Sequence, residues 1–145
     1  MESVLIIVLV GLAGGIAVGI QGPLASILTQ RMGPLESSLI VHVGGAVVSL
    51  LLLLIIGGGN ITQWRSAPWY ALGAGVFGLI VLSAVSYTIP RIGVAAAIVS
   101  IVAGQIILSA VLDHFGWLGA AVRPLNAPRL LGLGVVMLGV WLTVK

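Results

Sequence analysis

The sequence predicts an all-α membrane protein of five transmembrane helices, and three observations predict it. Sixty percent of the 145 residues are hydrophobic against six percent charged, with a mean hydropathy of +1.30. A water-soluble domain of this size needs about a quarter of its residues charged to cover its surface. The apolar residues gather into five runs near the length that crosses hydrocarbon, about 20 residues each, separated by short stretches rich in glycine, proline and arginine. None of the runs carries the polar face of an amphipathic helix in a soluble bundle.

The first run, 4–28, follows Glu2 and lacks a positively charged leader, so it reads as a retained span rather than a signal peptide. RMGP then makes a turn before the second run, 35–57. GGGNITQWRSAP separates that run from a third at 69–89. In SYTIPRIG, Pro90 is expected to end the third helix and Gly93 to permit a tight return into a fourth, 92–112; Tyr87, Pro90 and Gly93 form a candidate hinge. HFGWLGAAVRPLNAP leads to the short fifth run, 128–144. Trp64, Trp69, Tyr70, Trp117 and Trp141 fall near the ends of runs, where aromatic belts meet the headgroups. The whole chain reads as a single five-helix domain, residues 1–145, without a convincing internal repeat.

Charge sets the next expectation. Five spans leave the termini on opposite sides. Arg65, Arg123 and Arg129 then fall on the N-terminal side and Arg31, Arg91 and Lys145 on the other, three against three. Orientation follows an excess of Lys and Arg in cytoplasmic loops, and here there is none. Such a balance arises by chance in charge-poor chains, or it reflects dual topology. The second reading leads to an antiparallel homodimer whose two chains make the inverted repeat on which many transporters are built.

Composition also excludes functions. Six scattered basic residues make no basic stripe, so nucleic acid is not an expected partner despite the net charge of +3. Cysteine is absent, which removes metal–thiolate sites, and no GxxxxGK[ST] occurs. No metal or cofactor is expected, and no positioned nucleophile or acid–base cluster suggests an enzyme.

Polar residues at membrane depth are costly and usually face a cavity or a partner. Gln21 and His42 are each placed roughly 10 Å from the membrane face opposite the N-terminus, and Gln105 roughly 10 Å from the other face, by helical rise. On those depths Gln105 meets the other two only in an inverted copy. Glu36 stands at the mouth of the second span, as a helix-capping carboxylate or an entrance for cations and protons. His42 reads either as a neutral imidazole bonded to a neighbouring helix or as a substrate or proton site. Asp113, in register with Gln105 and Ser109, ends the fourth span beside His114; it is either solvated there or approaches the Glu36 mouth of an inverted partner. Gly11, Gly15 and Gly19 at successive i+4 spacings, and Gly132 and Gly139, mark helix-packing faces.

The stretches GIQGPLASILTQRMGPLESSLIVHVGG, PWYALGAGVFG, PRIGVAAAIVSIVAGQIILSAVLDHFGWLG and RLLGLGVVMLGVWL resemble the small five-helix YdcZ-type family of the drug/metabolite transporter superfamily; GQIILSAVLDHFG is the most specific of them. The resemblance implies a multi-pass protein of the bacterial inner membrane. It also implies half of a ten-helix transporter, found as dual-topology chains, opposite-facing pairs or fusions. The polar positions it carries over are Gln21, Glu36, His42, Gln105, Asp113 and His114. Where the family has a further polar residue after Gln21, this chain has Leu24 and Ala25. The expected function is secondary active transport of a small polar or cationic metabolite by alternating access, driven by protons or another ion gradient. A dual-topology channel and a non-transporting scaffold are the alternatives.

Overall fold

The computed structural model describes residues 3–57 and 59–145; Glu2 lies outside the described residues. The described chain is helical throughout its ordered elements: α1 (Val4–Met32), α2 (Pro34–Ile56), α3 (Trp69–Leu72), α4 (Ala74–Ile92), α5 (Val94–Phe115) and α6 (Ala127–Val144). Short 3-10 turns lie at Ile61–Ser66 and Trp117–Gly119. α3 and α4 together make one apolar stretch, Trp69–Ile92, so five stretches are long and apolar enough to cross a membrane. In hydrocarbon the helix is the single-segment structure that bonds its own backbone, which is why runs rich in β-branched residues still form helices here.

The observed ends differ from the sequence reading in one systematic way. α1 runs to Met32, α4 to Ile92 and α5 to Phe115, each a few residues beyond the expected boundary. Pro90 does not end its helix; it sits inside α4, and the termination falls at Gly93. Proline removes one N–H and so frees one carbonyl a turn back, a local loss that a helix can absorb when its neighbours still bond. Pro23, inside α1, frees the carbonyl of Gly19 in the same way.

Two single glycines turn the chain. Gly33 alone separates α1 from α2, and Gly93 alone separates α4 from α5. Their backbones are nearly superposable, φ +102°, ψ 162° and φ +83°, ψ 165°. Both lie in the region of φ that L side chains rarely adopt. Each donates its N–H four residues back, to Thr29 and Ile89 at 2.9 Å, and accepts from four residues on, Ser37 and Ala97 at 3.1 Å. Each is preceded at the same offset by an arginine, Arg31 and Arg91, placed where a helix C-terminus favours a cation. Ala25–Ser26 before the first turn and Val85–Ser86 before the second are buried at matching positions. The turn is therefore a repeated device, 60 residues apart, carried by too few identities to stand out in the sequence.

The chain forms two compact units, Met1–Tyr87 and Thr88–Lys145. In the first, α1 and α2 pack as an antiparallel hairpin. The Ser37 hydroxyl donates to the Ala25 carbonyl across the hairpin at 3.2 Å. The Thr29 and Ser86 hydroxyls bond at 2.9 Å, tying α1 to α4. Gln30 Nε2 donates to Ser26 Oγ at 3.3 Å. Ser26, Ser37, Ser38 and Ser86 are all at most 6% exposed, so this end of the unit holds a closed hydroxyl layer. In the second unit α5 packs against α6.

Hydrogen bonds between membrane helices contribute about 0.6 kcal/mol on average. A double-mutant cycle of Thr29→Val and Ser86→Ala, read by unfolding in mixed micelles, is expected to show a coupling of about 0.6 kcal/mol; zero coupling would remove this bond from the account of the α1–α4 contact.

Candidate functional site

The two ties in the first unit set the level of its polar residues. Thr29 opposite Ser86, on helices running the same way, puts Gln21 level with Gly78. Ser37 opposite Ala25, on helices running opposite ways, puts Gln21 level with Val41. The surroundings agree. Gln21 lines a small cavity of about 40 Å³ with Val18, Gly22, Ala25 and, from α4, Val81, Leu82 and Val85. It also lines an open groove with Ile20, Leu24, Leu28 and, from α2, Val41. Gln21 and His42 thus share one level in the first unit, as expected from helical rise.

Their depth is greater than the sequence boundaries implied. α1 ends eleven residues after Gln21, roughly 16 Å by helical rise, and α2 begins eight residues before His42, roughly 12 Å. Gln105, expected near one face, stands at the middle of α5, eleven residues from its start and ten from its end.

Among the described residues, His42 is bonded within its own helix and not to a neighbour. Its Nδ1 lies 2.7 Å from the carbonyl of Ser38 and 3.2 Å from the Ser38 hydroxyl. Its Nε2 edge lies over Gly78 of α4, where a Cβ would collide with the ring. The sequence does not single out Gly78, because nothing local marks a glycine as the seat of a ring from another helix.

Glu36 occupies the first turn of α2 and is exposed. No side-chain hydrogen bond caps this helix; instead the Glu36 carboxylate lies over Gly33, so that a side chain at Gly33 would strike it. The carboxylate sits where the partial positive charge of the helix N-terminus favours an anion. The capping and entrance readings are both compatible with that position.

Asp113 is not simply solvated. Its carboxylate pairs with Arg129 of α6 at 3.6 Å, with both side chains about one-third exposed. Its carbonyl accepts from the Arg123 N–H at 2.7 Å, and Arg129 Nη1 donates to the Arg123 carbonyl at 2.7 Å. His114 Nδ1 accepts from the Leu125 N–H at 3.1 Å. The His114 ring meets Phe115 edge-on, and Phe115 stacks on Trp117. These contacts fold the α5–α6 connection onto the end of α5. Other aromatic residues near helix ends make ring contacts: Trp69 against Tyr70, Arg65 over Trp64, and Lys145 over Trp141.

Gly11, Gly15, Gly19, Gly132 and Gly139 each have open space where a Cβ would stand. A shallow hollow of about 560 Å³ on α6 is lined by the apolar residues Ala127, Leu130, Leu131, Gly134, Val135 and Leu138. It lacks the polar groups that orient a small ligand. Among the described residues no three His, Asp or Glu gather to hold a metal.

Five membrane-length apolar helices with polar residues held at depth define a multi-pass membrane protein of the transport class. The chain belongs to the YdcZ family of the drug/metabolite transporters, described as "Putative inner membrane exporter, YdcZ", whose profile matches residues 6–142. It is thus a multi-pass protein of the inner membrane, in a family of transporters rather than of enzymes. No curated protein and no solved structure matches the chain.

Replacing His114 by Ala is expected to speed exchange of the Leu125 amide roughly two- to tenfold, the value of about 0.5–1.5 kcal/mol for one hydrogen bond. Arg129→Gln is expected to do less, since part-exposed ion pairs contribute about 0–1 kcal/mol. Hydrogen–deuterium exchange of the α5–α6 connection reads both.

Proposed function

We propose that the chain is one half of a secondary active transporter that exports a small polar or cationic metabolite by alternating access, working as an antiparallel homodimer and drawing on protons. The observation that carries this reading is the polar level at Gln21 and His42, well inside helices of high mean hydropathy. A group buried at that depth without a partner is costly, and such residues usually belong to a substrate or ion path. The family's description as a putative exporter supports the outward direction.

The other elements support the same reading. Balanced Lys and Arg remove the electrical preference for one orientation. The open faces at Gly11, Gly15 and Gly19 and at Gly132 and Gly139 suit close approach of another helix backbone, such as a second copy's. Gln105 at mid-helix suits a shared polar layer in either orientation. Glu36, exposed at the entrance to α2, is the carboxylate that attracts cations and hands protons inward. Asp113 takes part only by exchanging its Arg129 partner. Tyr87, Pro90 and Gly93 supply the hinge. The boundary between the two compact units falls after Tyr87, Pro90 breaks the backbone bonding of α4, and Gly93 turns the chain.

Purified protein in liposomes is expected to give saturable flux that a pH gradient stimulates. Glu36→Gln and His42→Ala are each expected to lower that flux at least tenfold; parental flux in both would remove these residues from the mechanism. Flux at ion-channel rates would mean a channel, and no flux of any polar metabolite would mean a scaffold. Single cysteines at residues 65 and 91, labelled from each side of native membranes, are expected to react from both sides in equal measure. Labelling of each position from one side only would rule out the antiparallel homodimer.

A further inference from the structure

The Ser38 carbonyl can only accept a hydrogen bond, so the 2.7 Å contact with His42 Nδ1 requires the ring hydrogen on Nδ1. The hydrogen bond made by one imidazole nitrogen sets the state of the other. The neutral ring therefore carries its lone pair on Nε2. Among the described residues the hydrogen bonds of His42 run to Ser38 alone.

Nε2 is the edge that lies over Gly78, and a Cβ there would occupy the ring's place. Gly75, three residues earlier on α4, has open space around it, so the requirement for a bare backbone is specific to Gly78. The Thr29–Ser86 tie makes Gly78 the α4 residue level with Gln21.

We propose that Gly78 is a positioning residue: it is the notch that seats the His42 imidazole in its Nδ1–H form and presents Nε2, at the level of Gln21, as the atom that takes a proton or accepts from a substrate donor. The role of Nε2 in transport rests on the reading of His42 given above; the seating itself does not.

The test is nitrogen NMR of 15N-histidine-labelled protein in lipid bilayers, at a pH where both imidazoles are neutral. The chain has two histidines, and the structure gives them opposite forms. His42 carries its hydrogen on Nδ1. His114, whose Nδ1 accepts from Leu125, carries it on Nε2. The His114→Gln variant assigns the signals. Gly78→Ala is expected to abolish the Nδ1–H signature of His42 and leave that of His114 unchanged, while Gly75→Ala leaves both unchanged. A parent His42 carrying its hydrogen on Nε2 would overturn the proposal, and so would a Gly78→Ala spectrum identical to the parent's. Should Gly78→Ala fail to fold, the parent spectrum decides alone. If Gly78→Ala moves the His42 signals while transport is unchanged, the seating stands and the transport role of His42 falls.

Discussion

The demand that every polar backbone group inside hydrocarbon be bonded within the protein governs the rest of this structure. It forces the apolar runs into helices, and it explains how the chain reverses direction. A single glycine at φ +102° or +83° reverses the chain while both its N–H and its carbonyl stay bonded to the flanking helices. The same demand shapes the side chains. Ser100 and Thr143 donate to carbonyls four residues back in their own helices, whereas Ser37 and Ser86 of the first unit bond across helices. Among the described residues no buried side-chain nitrogen or oxygen lacks a partner.

That economy makes the exceptions informative. Prolines at 23 and 90 each withdraw one donor from a membrane-length helix, freeing the carbonyls of Gly19 and Ser86. The first lies within one turn of Gln21, the second within one turn of Tyr87. Broken bonding at membrane depth is tolerated where a cavity or another protein surface answers it. His42 is a different exception: its Nδ1 is spent on its own helix, and its remaining nitrogen faces a glycine in place of a side chain.

The polar residues also divide by the company they keep. Asp113 and His114 are engaged with Arg129 and with the Arg123 and Leu125 backbone, and they close a connection between helices. Gln21, Glu36 and Gln105 make no such closure, and all three are exposed on the single chain. Proximity along the sequence does not separate these groups. The i, i+4, i+8 series of Gln105, Ser109 and Asp113 looks like one stripe, yet its last member belongs to the α5–α6 connection.

The sequence by itself determined the solvent, the number of spans, the helical class and the glycine-turn positions. Each of these follows from transfer free energy and local backbone preference, which need no knowledge of neighbours. Legible too was the shared level of Gln21 and His42, because helical rise is fixed. The ends of α1 and α4 were read short, since the polar residues that mark a boundary in water are drawn into the last turn when that turn bonds across a single glycine. Only the tertiary structure decided that Thr29 meets Ser86, that Asp113 meets Arg129, and that His42 rests on Gly78. Contacts between residues so far apart in the chain depend on which faces pack and in what register, and an apolar helix with small residues on several faces does not announce that choice.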